Sequence, residues 1–217
     1  MLLIDFFIQN QELIITSTLE HISLVIAAVG MAILVGVPIG IAITQNKTAA
    51  DIVLYLGAII ITIPSIALFG LMIPILSQIG HGIGYVPAVI AVFLYAMLPI
   101  IRNTYTAIND VQPSLREAAR GVGMNALQRI IKVEIPLALP VIMAGVRSAV
   151  VINIGVMAIA AYIGAGGLGS IIARGISQSD PTQVFAGAIA VSVLAIVADA
   201  VLFYIQKKVT PIGLVSH

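Results

Sequence analysis

Five apolar runs dominate the chain, at residues 22–43, 52–76, 86–108, 137–163 and 184–206. A helix needs about 20 such residues to cross a hydrocarbon layer roughly 30 Å thick. In that layer backbone N–H and C=O groups have no water, so each must be satisfied inside a helix or a closed barrel. Runs of this length, unlike short alternating ones, predict an all-α, multi-span membrane protein. The composition leaves little else, with 60% hydrophobic residues, 9% charged residues and a mean hydropathy of +1.16. A soluble domain carries about 25% charge to cover its surface. Length fits a single domain. With no cysteine there is neither a disulfide framework nor a thiolate metal site. A net charge of +1 gives no reason to expect a nucleic-acid partner. The opening MLLIDFF lacks the basic start and small-residue cleavage site of a signal peptide. Pro38, Pro64, Pro74, Pro99 and Pro140 fall inside the runs, where neighbouring helices can re-satisfy the backbone.

Five spans place the termini on opposite sides. Segments on one side hold Lys47, Arg102, Arg116, Arg120, Arg129, Lys132, Lys207 and Lys208, and the other side holds only Arg174. Basic residues concentrate in cytoplasmic loops, so the expected topology has the N-terminus outside and the C-terminus in the cytoplasm.

The loop between the third and fourth spans then lies in the cytoplasm. Its SLREAARGVGM, residues 114–124, reads as a short helix after Pro113. Ser114 and Glu117 have capping-box spacing. Leu115, Ala118, Ala119 and Val122 recur at i, i+3, i+4 and i+7, one helical face. Arg116, Glu117 and Arg120 flank that face as rim charges, and Gly123 is placed for a left-handed cap. The helix could lie on its own membrane domain or on lipid headgroups. Its small-residue face buries little area, which suits the close approach of a soluble partner instead.

Glu117-Ala118-Ala119, Gly123 four residues on, and Val133-x-Ile135-Pro136 after nine more resemble the EAA loop of permease subunits of binding-protein-dependent ABC importers. The family pattern usually has Ile and Leu where this chain has Val133 and Ile135. The resemblance implies a five-helix type I permease core over residues 18–208. It also implies a coupling loop at 113–136 that docks on a cytoplasmic ATPase through Leu115, Glu117, Ala118, Ala119, Val122, Gly123 and Pro136. Further implied are a second permease chain, identical or sister, an extracytoplasmic substrate-binding protein, and a location in the prokaryotic inner membrane. This chain would be non-catalytic, with ATP and Mg bound by the partner ATPase dimer. LEHISLVIAAVGMAILVGVPIGIAI, AGVRSAVVINIG and AAYIGAGGLG further resemble the branch importing osmoprotectants such as glycine betaine, carnitine and choline. A methionine or other amino-acid permease is the alternative.

No P-loop G-x-x-x-x-G-K-[ST] is present. GAGGLG, residues 164–169, matches G-x-G-x-x-G but follows an apolar run, without the βαβ setting that dinucleotide binding needs. Gly164, Gly166, Gly167 and Gly169 form either a flexible outer loop or a hinge or close-packed turn at the outer gate. Gly36, Gly40, Gly57, Gly70, Gly145 and Gly155 are expected at helix-packing positions.

Arg147 and Asp199 are charges inside predicted spans, at similar depth from the same side. Opposite intramembrane charges tend to pair; alternatively Arg147 lines the path and faces a substrate carboxylate. Asn153 and Tyr162 could face the path or bond between helices. His21 and His81 are expected near the outer surface and His217 is terminal; none forms a metal site. Two rival functions carry no ATPase. One is a secondary transporter using Asp199 as a proton relay, the other a scaffold whose loop recruits a soluble protein.

Overall fold

The computed structural model describes residues 3–210, and among these every regular element is helical. His217 lies outside them. A short α1 (Leu3–Gln9) precedes the long α2 (Gln11–Ala42). At 1.5 Å per residue the 32 residues of α2 extend about 48 Å, well beyond the hydrocarbon thickness. The first span was expected from residue 22; the helix instead runs on through Gln11, Glu12 and Glu20. Hydropathy marks where lipid begins, whereas backbone hydrogen bonding carries the helix past it.

The run at 52–76 is not one helix. α3 (Lys47–Thr62) and α4 (Ser65–Ser77) meet at 98° across Ile63 and Pro64. Proline has no N–H to give and pushes the residue before it out of the helical region, and Ile63 accordingly sits at ψ 124°. The Tyr95 hydroxyl donates to the freed Ile63 carbonyl, which provides the partner an interrupted membrane helix requires. Pro38, Pro74, Pro99 and Pro140 stay within continuous helices.

After α5 (Tyr85–Asn109) come two short helices, α6 (Pro113–Gly121) and α7 (Ala126–Arg129), then a π-helical turn over residues 130–134 and the long α8 (Ile135–Ile159). A 3-10 turn leads to α9 (Gly169–Ser177) and α10 (Pro181–Val209). Four long helices are long and apolar enough to cross a membrane, and the bent pair α3–α4 would make a fifth span if it crosses as one broken helix.

Helix α5 is the centre of the bundle, flanked by α2 and α8, and α10 packs on α8. Leu24, Ala28, Ala32, Phe69, Val92, Ala96, Ile154 and Met157 form the main core. Lipid tails are as apolar as leucine, so the helices hold together by close van der Waals contact, which small residues permit. A Cβ on Gly40 would lie 2.6 Å from Thr104 Cβ, and one on Gly145 would lie 2.4 Å from Asn103 Cβ. Gly36 and Gly57 are similarly tight against Ile100 and Leu98. Gly70 and Gly155 depart from expectation, since a Cβ at either meets nothing within 4 Å.

Gly40→Val should therefore part α2 from α5, at the overpacking cost of about 1–3 kcal/mol. It should lower the unfolding midpoint in detergent, while Gly70→Ala and Gly155→Ala leave that midpoint within error in the same scan.

Candidate functional site

Three polar arrangements stand out against this apolar frame. The first is the loop joining α5 to α8. Pro113 takes the first helical position of α6, which its fixed φ favours, and Gln112 becomes the cap without a side-chain bond. Ser114 thus falls inside the helix, and the capping box expected from Ser114 and Glu117 does not form. A capping box does form one helix later. There Gln128 N–H donates to Asn125 Oδ1 (2.9 Å) and Asn125 N–H to Gln128 Oε1 (3.0 Å). At the end of α6, Gly123 has φ +81°, with Gly123 N–H bonded to Arg120 O at 2.9 Å and Met124 N–H to Ala119 O at 3.1 Å. This is the Schellman arrangement, which turns the chain sharply back.

The expected face of α6 divides in two. Ala119 is 5% exposed and packs inward, while Val122 is 74% exposed and Leu115 and Ala118 also face outward. Glu117 is exposed, and Leu127 and Ile131 extend the outward apolar surface. Pro136 is half-buried in the first turn of α8. Arg116 is not the rim charge expected. Its guanidinium donates to the Ile108 carbonyl at the end of α5, where helical carbonyls lack internal partners.

Glu134 holds this loop together. It is 2% exposed; Arg129 Nε donates to its Oε1 at 2.7 Å, and Arg116 Nε lies 3.5 Å from the same oxygen. One carboxylate thus joins α6 and α7 to the start of α8, while Arg116 adds the end of α5. Sequence reasoning passed over Glu134 because residues 129 and 134 do not share an α-helical face. The i→i+5 repeat of the π-turn is what brings them together.

The second arrangement lies within the bundle. Arg147 of α8 and Asp199 of α10 form a two-pronged pair, Nε to Oδ1 at 3.0 Å and Nη2 to Oδ2 at 2.9 Å. Arg147 Nη1 donates to Gln206 Oε1 (2.9 Å), whose amide donates to Pro140 O (2.8 Å). The Phe203 ring centroid lies 4.9 Å from the guanidinium carbon. A lone charge at mid-bilayer costs on the order of 3 kcal/mol; here each charge meets its opposite. Phe203 and Gln206 were missed, although 199, 203 and 206 follow i, i+4, i+7 and share one face.

Asn153 and Tyr162 do not join this pair. Asn153 is enclosed in the bundle and donates to Ala149 O of its own helix (2.8 Å), while Tyr162 is exposed.

The third arrangement is the glycine turn after α8. Gly164, Gly166 and Gly167 have φ of +79°, +81° and +72°, and a Cβ on Gly169 would lie 1.9 Å from Ala158 O. The turn is packed, not loose. Gly167 N–H donates to Glu20 Oε2 (2.9 Å) and Gly84 N–H to Ile163 O (2.9 Å). His21 was expected near the surface but is fully buried under this turn, its Nε2–H donating to Ile154 O at 3.0 Å. The long α2 carries it there. His81 is exposed. Beyond the turn, Asp180 caps α10. The hydrogen bond from the Gln183 side chain, aided by backbone N–H groups of Gln183 and Thr182, holds its carboxyl below the usual range.

The profile of the family described as "binding-protein-dependent transport system inner membrane component" matches residues 16–211. The chain belongs to this family. It is therefore a non-catalytic inner-membrane permease component of an ABC transporter, a class that works with an ATPase and a binding protein. The osmoprotectant import permease protein OsmW of Salmonella typhimurium is 54% identical over 211 residues, covering 97% of this chain and 98% of that protein. The glycine betaine/carnitine/choline transport system permease protein OpuCB of Bacillus subtilis is 42% identical, covering 98% and 95%. The choline transport system permease protein OpuBB of the same organism is 41% identical, also covering 98% and 95%. Among solved structures, an inward-facing form of the MetNI methionine ABC transporter superposes with a TM-score of 0.83 at 24% identity, covering 94% of this chain and 99% of that one. An amino acid ABC transporter gives 0.73 at 21% identity, covering 93% and 94%. At those identities the likeness is one of fold.

In this permease, Glu134→Ala should release the loop. Hydrogen bonds to charged groups contribute about 1.5–3 kcal/mol each, so residues 110–130 should become the first segment cut in limited proteolysis, with the long helices still protected.

Proposed function

We propose that the chain is the translocation subunit of an ATP-driven importer of small osmoprotectants such as glycine betaine, carnitine or choline. The 54% identity to an osmoprotectant import permease over nearly the full length of both chains carries this reading. The methionine alternative has support from fold likeness alone, at 22–24% identity. A proton relay through Asp199 is disfavoured by its geometry, because both carboxylate oxygens are held by Arg147.

The concentration of basic residues in its segments supports a cytoplasmic loop and an N-terminus outside. Within the domain over residues 18–208, the loop at 113–136 is then the ATPase contact. Leu115, Ala118, Val122 and Leu127 present the docking surface, with Glu117 beside them. Ala119 and Pro136 act from behind by seating the loop on the bundle. A second permease chain, identical or sister, packs where α3–α4 leaves Ile52, Tyr55, Leu56, Ile59, Leu71 and Ile75 exposed. The binding protein docks on the opposite face, near the turn of Gly164, Gly166 and Gly167. ATP and Mg bind the partner ATPase dimer and supply the energy there.

This chain's residues transmit it. Docking forces on α6 pass through Arg116 to the end of α5 and through Glu134 to the start of α8. The Arg147–Asp199 pair then binds α8 to α10, so these helices move as a unit and open the path to alternate sides.

Val122→Asp and Ala118→Trp alter outward positions only. Both should leave expression and detergent stability unchanged and abolish the ATP hydrolysis stimulated by solute-loaded binding protein in the reconstituted complex. Gly123→Val should lose coupling too, with about 1–3 kcal/mol of local strain, and Arg116→Ala should loosen the loop. Full stimulation in Val122→Asp and Ala118→Trp would remove this face from the ATPase contact.

A further inference from the structure

The Arg147–Asp199 pair stands beside an open recess of about 690 Å³, within the roughly 300–1,000 Å³ range of ligand sites. Its wall combines small side chains, Ala144, Ser148 and Ala195, with the larger Val151, Ile152 and Ile196. The two charges are unequally held. Arg147 is 21% exposed and is fixed by Gln206, itself tied to Pro140, and by the Phe203 ring; Asp199 is 43% exposed. The Asp199 carboxylate thus opens onto the recess as well as onto Arg147, and a charge at membrane depth calls for the bundle interior or a wet space around it.

We propose that this pair is an exchangeable transit site for a zwitterion. Arg147 receives the solute carboxylate, which matches its planar fork, while Asp199 swings to the solute's cationic end. One ion pair becomes two, so no charge is left uncompensated at any stage, and departure of the solute restores the original pair. Such an exchange gives weak binding, as a transit site requires. The proposal rests on the osmoprotectant reading above and adds where in the spans, and by which groups, the solute is met.

The test uses the whole importer in proteoliposomes with ATP, with labelled glycine betaine and choline as probes. Arg147→Gln should lower glycine betaine uptake about tenfold more than choline uptake, and Asp199→Asn should shift the ratio the other way, by several-fold or more. A structural pair predicts equal losses for both solutes, and an unchanged ratio in both variants would overturn the proposal. Should either single variant fail to assemble, Arg147→Gln/Asp199→Asn leaves no lone charge. It should still assemble with its partner subunits in detergent while uptake of both solutes falls; undiminished uptake in this variant would equally overturn the site. Absence of uptake by the wild-type importer is a separate outcome that removes the osmoprotectant reading itself.

Discussion

A polar group placed in hydrocarbon must find its partner within the protein or line a wet space, and this requirement organises the whole chain. It explains why the proline break between α3 and α4 coincides with a tyrosine hydroxyl from α5 on the carbonyl of Ile63. It explains why the buried His21 reaches the Ile154 carbonyl and why Gln206 bridges Arg147 to the Pro140 carbonyl. Tyr95, His21 and Gln206 each also link two elements that lipid exposure alone would leave free to slide.

The same links tie the helices of the bundle into one frame. Apolar packing through Gly36, Gly40, Gly57 and Gly145 brings α2, α3 and α8 close to α5 but is short-ranged and non-directional. Direction comes from the charged contacts. Glu134 with Arg129 and Arg116 fastens the loop to the start of α8 and the end of α5, and Arg147 with Asp199 fastens α8 to α10. On the proposed reading, in which work enters at this loop from a separate ATPase, a soft loop would dissipate the motion. The buried carboxylate and the Schellman turn at Gly123 both oppose that.

At the other end, the glycine turn is braced from α2 by Glu20 and from beneath by His21. The left-handed backbone at Gly164, Gly166 and Gly167 lets three chain segments converge where any side chain would obstruct them. The G-x-G-x-x-G spacing there reflects packing between helices, and among the described residues no strand precedes it.

Hydropathy alone determined the all-helical class and the approximate positions of the apolar runs, because the cost of exposing backbone to lipid acts on any stretch of about 20 residues whatever its neighbours do. Local spacing likewise gave the short loop helix and its glycine cap, since both depend on residues four or five apart. Tertiary structure decided the rest. Whether Ala119 or Val122 faces outward depends on how α6 seats against the bundle. Ser114 lost its cap to the neighbouring Pro113, and Glu134 became the centre of the loop only through a π-turn that no α-helical periodicity encodes. His21 is buried because α2 extends past the lipid boundary to meet a turn almost 150 residues away in the chain. Contacts between distant segments are set by three-dimensional packing, and a one-dimensional pattern of apolar and polar residues holds no record of them.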